Sequence, residues 1–164
     1  MGASLREILY TARPVEPLQR EALFSYLGRY LHAAGAAESV SFQRAVIGRY
    51  PTSLSYDMPG NLEWMRVNLP PLNRFSLEDM VQRFTAAPLY RPFMDEEGWT
   101  ALVEKLGKRS PRIGADAEFR QKEMYRFPRH CRVCLQSQLR RYRLAFWPRE
   151  FGLRLVEACP KHGL

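Results

Sequence analysis

Residues 127–164 read FPRHCRVCLQSQLRRYRLAFWPREFGLRLVEACPKHGL, and they decide how the whole chain is read. Cys131 and Cys134 form a Cys-x-x-Cys pair, 24 residues follow, and Cys159 and His162 form a Cys-x-x-His pair. Two-residue spacers let one tight turn aim two soft ligands at a single point. Two such knuckles supply the four ligands of a tetrahedral structural zinc site. The prediction is therefore a structural Zn²⁺ held by Cys131, Cys134, Cys159 and His162. Three thiolates and one imidazole leave no open coordination position, so the ion should staple a fold and not activate water. Disulfide pairing fits poorly, because the chain has three cysteines and one would remain unpaired. No βαβ pattern surrounds Cys131 and Cys134 to suggest a thioredoxin-like redox pair. His130 abuts Cys131 and is the alternative imidazole ligand, although adjacent side chains rarely converge on one ion.

Charge is concentrated in the same segment. The net charge is +8, and residues 1–119 contribute nothing to it, with 14 basic and 14 acidic side chains. Residues 120–164 carry 11 basic and 3 acidic side chains, which accounts for the whole excess. Most of these cations are arginines, whose planar fork suits phosphate oxygens. They alternate with Tyr125, Phe127, Tyr142, Phe146, Trp147 and Phe151. A basic zinc module with interleaved aromatics points to nucleic acid, with Arg126, Arg129, Arg132, Arg140, Arg141, Arg143 and Lys161 as the expected contacts. The plainer reading is also open: arginines balance a negatively charged thiolate site, and the aromatics form a small core.

Working back towards the N-terminus, residues 1–119 read as helices separated by Pro- and Gly-marked turns. From Leu18 to Ala34 the apolar positions Leu23, Tyr26, Leu27, Tyr30, Leu31 and Ala34 make a helical stripe that Gly35 ends. A second helix starts near Ser39 or Ser41, buries Phe42, Ala45 and Val46, and stops at Gly48. The pair is a candidate helix-turn-helix, with Arg44 and Arg49 on or after its second helix, although most such pairs are plain helical hairpins. Residues 51–60 form a loop. A short helix over Asn61 to Asn68 is broken by Pro70 and Pro71. Ser76 is the expected N-cap of the next helix, with Leu77, Met80, Val81 and Phe84 inward and Pro88 closing it. Asp95, Glu96 and Glu97 open a last helix that buries Trp99, Leu102, Val103 and Leu106 and ends at Gly107. Their carboxylates complement the helix dipole, which explains them without a metal.

The expected architecture is mainly α: a helical domain over 1–119, then a small zinc-stapled ribbon module over 120–164. No apolar run approaches the ~20 residues that a membrane span requires. The N-terminus lacks a signal-peptide core, and Arg6 stands where a myristoylation motif has Ser or Thr. Reduced cysteines in a metal pattern suggest the cytoplasm. His32 has no partner that spacing identifies, and no Ser–His–Asp set, phosphate loop or carboxylate pair stands out. The residues argue for no enzyme.

These pieces together resemble the TniQ/TnsD family, target-selecting proteins of bacterial transposons. That family shows a Cys-Pro-x-Cys knuckle, a basic and aromatic stretch of the Tyr-x-x-x-Trp kind, and Cys-Pro-x-His-Gly. The matching residues are Cys131, Cys134, Tyr142, Phe146, Trp147, Cys159, Pro160, His162 and Gly163. Leu23-Phe24-Ser25-Tyr26 with Arg29 and Gly35 looks like the family's N-terminal signature. Phe84 to Phe93, with Pro88-Leu89-Tyr90-Arg91-Pro92-Phe93, looks closer to the TnsD branch. The matches run from about Glu21 to the last residue. Two departures stand out. Arg132 replaces the usual proline of the first knuckle and leaves the ligands intact. The chain also ends at Leu164, where family members continue, so an N-terminal fragment or a short member is expected.

The resemblance implies an adaptor without chemistry of its own, cytoplasmic and associated with the bacterial nucleoid. Such proteins select an insertion site by binding target DNA or a guide-RNA (CRISPR) effector complex. They then recruit the AAA+ ATPase regulator of transposition, a TnsC-like protein. The alternative is a zinc-stabilised protein-interaction module whose basic face meets an acidic partner and never touches DNA.

Overall fold

The computed structural model describes residues 15–48, 56–108, 129–153 and 156–163. Among these residues the architecture is mainly α, with no β-strand. The helices are α1 (Leu23–Ala33), α2 (Val40–Ile47), α3 (Leu62–Asn68), α4 (Leu77–Phe84), α5 (Glu96–Gly107) and α6 (Arg132–Tyr142). Short 3₁₀ turns occupy Pro70–Leu72, Ala87–Leu89, Arg91–Phe93 and Arg149–Gly152.

Helix starts follow side-chain capping chemistry. Ser39 accepts a hydrogen bond from the Phe42 amide, and Asp95 accepts one from the Gly98 amide. Ser76 and Asp79 form a reciprocal capping box at α4, in which each side chain takes the other's backbone N–H. Those bonds hold the Asp79 carboxyl below its ordinary range, because Ser76 hydrogen-bonds its charged form. Glu96 and Glu97 lie in the first turn of α5, as dipole complementation predicts.

Two boundaries differ from the periodicity reading. Helix α1 begins at Leu23 and not near Leu18, because the Leu18 amide donates to the Glu21 carboxylate and the Ala22 amide pairs across to Trp147. Those bonds fix an extended entry that is incompatible with helix. Helix α4 ends at Phe84, before Pro88, because the Thr85 hydroxyl folds back onto the Val81 carbonyl and accepts from the Ala87 amide. Pro88 then sits inside a 3₁₀ turn.

One apolar core joins α1 to α5. Tyr26, Tyr30, Phe42, Leu62, Met65, Met80, Val81, Phe84, Trp99 and Leu106 are all buried in it. Ala45, Leu102 and Val103 are only half-buried. Helices α1 and α2 are joined through Gly35 at φ +65, and the exposed side of α2 carries Val40, Ser41 and Arg44. Arg49 lies outside the described residues.

The turn after α2 is the tightest point of the core. Gly48 has φ +76 and caps the helix, and a methyl group there would meet Asn61 Nδ2 and Trp64 Cδ1. Asn61, buried and itself at φ +67, donates through Nδ2 to the Ile47 carbonyl. Gly48→Ala should therefore cost about 2–4 kcal/mol, combining left-handed strain with overpacking. Urea unfolding measures this, and a change within about 0.5 kcal/mol would refute the packing argument.

Candidate metal centre and basic face

Cys131 occupies the N-cap position of α6 with extended backbone (φ −98, ψ 124), and Cys134 lies in the first turn. The Leu135 amide donates to the Cys131 carbonyl, so the helix starts between the two thiols and turns both to one side. The second knuckle is a tight turn in which the amides of His162 and Gly163 both donate to the Cys159 carbonyl. Gly163 closes it at φ +64, a conformation that suits glycine.

The two knuckles converge. His162 Nδ1 lies 3.4 Å from Cys131 Sγ, 3.4 Å from Cys134 Sγ and 3.5 Å from Cys159 Sγ. Cys134 Sγ and Cys159 Sγ are 3.6 Å apart, and all four donor atoms lie within 4.8 Å of one another. The four predicted ligands thus stand close enough to bind one metal ion. His130 is exposed and stands outside this group. Phe151 packs against Cys131, Cys159 and Cys134 and supplies the apolar cover of the site.

The thiols differ in acidity. Burial and the neighbouring thiols Cys159 and Cys131 push Cys134 up to about 12. Burial also opposes ionisation of Cys159, but hydrogen bonds with the Lys161 backbone and with His162 outweigh it and bring that thiol down to about 6. A bound cation would favour the ionised form of every thiol, since metal ligation deprotonates sulfur.

The segment between the knuckles docks onto the helical core. The Ala22 amide donates to the Trp147 carbonyl and the Arg149 amide to the Arg20 carbonyl, each at 2.8 Å, around an antiparallel bridge between Glu21 and Pro148. Ser25 Oγ accepts from the Trp147 amide at 3.0 Å and donates to Glu21 Oε1 at 2.9 Å. Glu21 is fully buried, and its carboxylate is forked by Arg29 Nε at 2.8 Å and Nη2 at 2.5 Å. Ser25 and Arg29, which match the family's N-terminal signature, therefore hold the glutamate that seats the segment between the two knuckles. Phe24 stacks edge-on against Tyr56 and leans on Trp147.

The sequence-predicted cations divide by environment. Arg132, Arg140, Arg141, Arg143 and Lys161 are exposed. Arg132 stands in the first turn of α6, Arg140 and Arg141 in its last turn, and Arg143 caps it at φ +59. Arg129 is half-buried and donates to the Leu153 carbonyl at 2.8 Å, so its guanidinium helps tie the module together. Arg126 lies outside the described residues.

Arg149, counted only as part of the charge excess, donates to the carbonyls of Gln82 and Thr85 at the end of α4. There it offsets the negative end of a helix dipole. Sequence reasoning also missed Gln138, buried on α6, whose Oε1 accepts from the Phe146 amide and fixes the turn after the helix. No signal in the sequence marks these contacts, since the partners are backbone atoms, 8 residues away for Gln138 and 64 and 67 residues away for Arg149.

Comparison with known proteins places this geometry in context. The family model described as TniQ matches residues 12–164. The chain is 26% identical over 159 residues to transposon Tn7 transposition protein TnsD of Escherichia coli, an alignment covering 90% of this chain and 30% of that protein. It thus spans about a third of the length of that curated relative. No solved structure matches the chain.

Proposed function

The chain belongs to the TniQ family, and on that premise we propose that it is a target-site selection adaptor in DNA transposition, with a structural zinc ion in its C-terminal module. The observation that carries this reading is the family match over residues 12–164, which takes in both the buried Glu21 network and the Cys₃His cluster. A role in transposition also accords with the similarity to the Escherichia coli transposition protein TnsD.

Zinc suits the donor set. A tetrahedral ion with Zn–S of ~2.3 Å and Zn–N of ~2.0–2.1 Å implies sulfur–sulfur edges near 3.8 Å and sulfur–nitrogen edges near 3.5 Å. The three sulfur–nitrogen separations of 3.4–3.5 Å and the Cys134–Cys159 separation of 3.6 Å approach those edges, and all four donor atoms lie within 4.8 Å of one another. With four protein ligands the ion supplies structure only.

In this reading the module binds duplex DNA through Arg140, Arg141, Arg143 and Lys161. Arg126, Arg129 and Arg132 from the same basic segment add to its positive potential. The helical part, α1 to α5, is the surface for the AAA+ regulator of transposition. The target presented to the module is DNA, free or opened by a guide-RNA effector complex, in the cytoplasm. Among the described residues no helix is long and apolar enough to cross a membrane. Function then follows from position: the docked module aims its cations outward while the helical core keeps a separate face for the regulator.

Duplex binding measured by fluorescence anisotropy across a salt series tests this. Replacing Arg140, Arg141 and Arg143 together by alanine should weaken binding and lower the magnitude of the log–log salt slope by about 2–3, near ~0.9 per lost phosphate contact. An unchanged slope would remove these arginines from the interface. Absence of duplex binding at low salt would favour a protein partner for the basic face.

A further inference from the structure

We propose that α6 is a base-reading helix, entering the major groove of duplex DNA with Arg132 and Gln136 on base edges and its C-terminal arginines on phosphates. This rests on the DNA-binding reading above and adds sequence discrimination to it. The argument begins with how α6 is held. Cys134, Leu135 and Gln138 face inward, while Arg132, Val133, Gln136, Ser137, Leu139, Arg140 and Arg141 are all exposed. At 100° per residue these exposed positions span more than half the circumference of the helix. Metal-ligand cysteines fix its first turn, and the Gln138 bond to the Phe146 amide fixes its far end. A helix held at both ends and exposed along one side presents that side in a fixed orientation.

Its chemistry suits a groove. A helix is ~10–12 Å across with side chains, which matches the ~12 Å width of the B-DNA major groove. Arg132–Tyr142 contains no carboxylate, and the negative charge of a metal-loaded Cys₃His site at its first turn is offset by Arg132 and Lys161 beside the ligands. Arg132 and Gln136 are one turn apart on the same line. Arginine forks onto guanine O6 and N7, glutamine onto adenine N6 and N7, and Val133 beside them offers an apolar contact to a thymine methyl. These lie in the N-terminal half, the half that touches bases in helix-turn-helix readers. Arg140, Arg141 and Arg143 lie at the other end, and Lys161 of the second knuckle lines a cleft of about 380 Å³ together with Arg141, Tyr142 and the Glu150 carboxylate, which is paired with Arg20. The flanking cations are thus positioned for the backbone. Double-stranded RNA is disfavoured as the ligand, because its major groove is too deep and narrow for side chains to read.

The test is selection from a randomised 20-base-pair duplex library with the full zinc-loaded chain, in parallel with Gln136→Ala and Arg132→Ala. Gln136 is a solvent-exposed surface residue, so its variant should retain helicity and zinc, which circular dichroism and metal analysis verify. Wild type should enrich a short motif containing guanine and adenine. Gln136→Ala should lose preference at the adenine and bind the selected duplex about 5- to 150-fold more weakly, with its salt slope unchanged. Arg132→Ala should lose the guanine in the same way. Salt-dependent binding without enrichment, or an identical motif from all three proteins, would overturn base reading while leaving phosphate binding standing. No salt-dependent binding in any protein would remove both.

Discussion

Chelation should unfold the metal module and leave the helical core. Removing the ion with excess chelator is expected to release one zinc per chain and to melt α6 together with the turn at Cys159–His162. The large effect follows from what holds this segment. Its own apolar cluster among the described residues is Phe151 with three cysteines, far too little burial to order it unaided. Structural zinc sites supply binding free energies of ~10–16 kcal/mol in small peptides, and that energy is folding energy. The core of α1 to α5 has Tyr26, Phe42, Met65, Met80 and Trp99 instead and does not depend on the ion. Far-ultraviolet circular dichroism should therefore fall partially and then melt cooperatively, while near-ultraviolet signal from Trp147 is lost first. Acidification acts in the same direction. The thiols and His162 bind protons when they release metal, so affinity falls as pH falls. Cys134→Ser should reproduce the chelated state, with metal content read directly. A chelated protein with unchanged helicity and unchanged Trp147 signal would show that the four side chains meet without needing an ion.

The Cys₃His cluster was legible because its parts are local. Each knuckle is a short turn whose spacing is visible in the sequence, and only the meeting of two knuckles had to be supposed. The starts of α2, α4 and α5 were legible for the same reason: Ser39, Ser76 and Asp95 each accept from the amide three residues downstream. Helix α6 was not. Leu135, Leu139 and Tyr142 do fall at helical spacing, but Leu139 and Tyr142 are exposed and the buried position beside them is the polar Gln138, so the stripe does not mark the inward face. What makes it a helix is attachment at Cys131, Cys134 and Gln138, which is tertiary. The arginines illustrate the limit of composition. Arg29, Arg129 and Arg149 contribute to the charge count as Arg140 does, yet their guanidinia are fixed on a buried carboxylate or on carbonyl oxygens. Charge totals do not say which cations reach a partner. The docking of Trp147 on Ser25 joins residues 122 positions apart, and nothing in either neighbourhood announces it.

Glu21→Ala should be the most damaging substitution outside the metal site, at about 3–5 kcal/mol, because it strands a guanidinium beside the core. Arg29 would keep only the Glu16 carbonyl at 2.9 Å, and Leu18 would lose the acceptor that bends the chain into α1. Much of that loss is the cost of an unpaired charge and not the worth of the pair. Glu21→Leu combined with Arg29→Met should therefore recover a large part of it, since apolar replacement of a whole buried pair is often neutral. Denaturant unfolding of Glu21→Leu, Arg29→Met and the double variant gives the cycle. A Glu21→Ala loss under about 1 kcal/mol would mean that water reaches the carboxylate and screens it. Hydrogen exchange adds the functional link. The Ala22 and Trp147 amides lie next to the Glu21 bridge, bonded to the Trp147 carbonyl and to Ser25 Oγ, so both should lose protection in Glu21→Ala even with zinc bound. Disrupting the pair would then unseat the basic module from the helices without touching a cation exposed on its surface. An Arg29 variant defective in target selection would accordingly report a lost seat and keep the salt slope of wild type, whereas the Arg140, Arg141 and Arg143 variant would keep the seat and lose the slope.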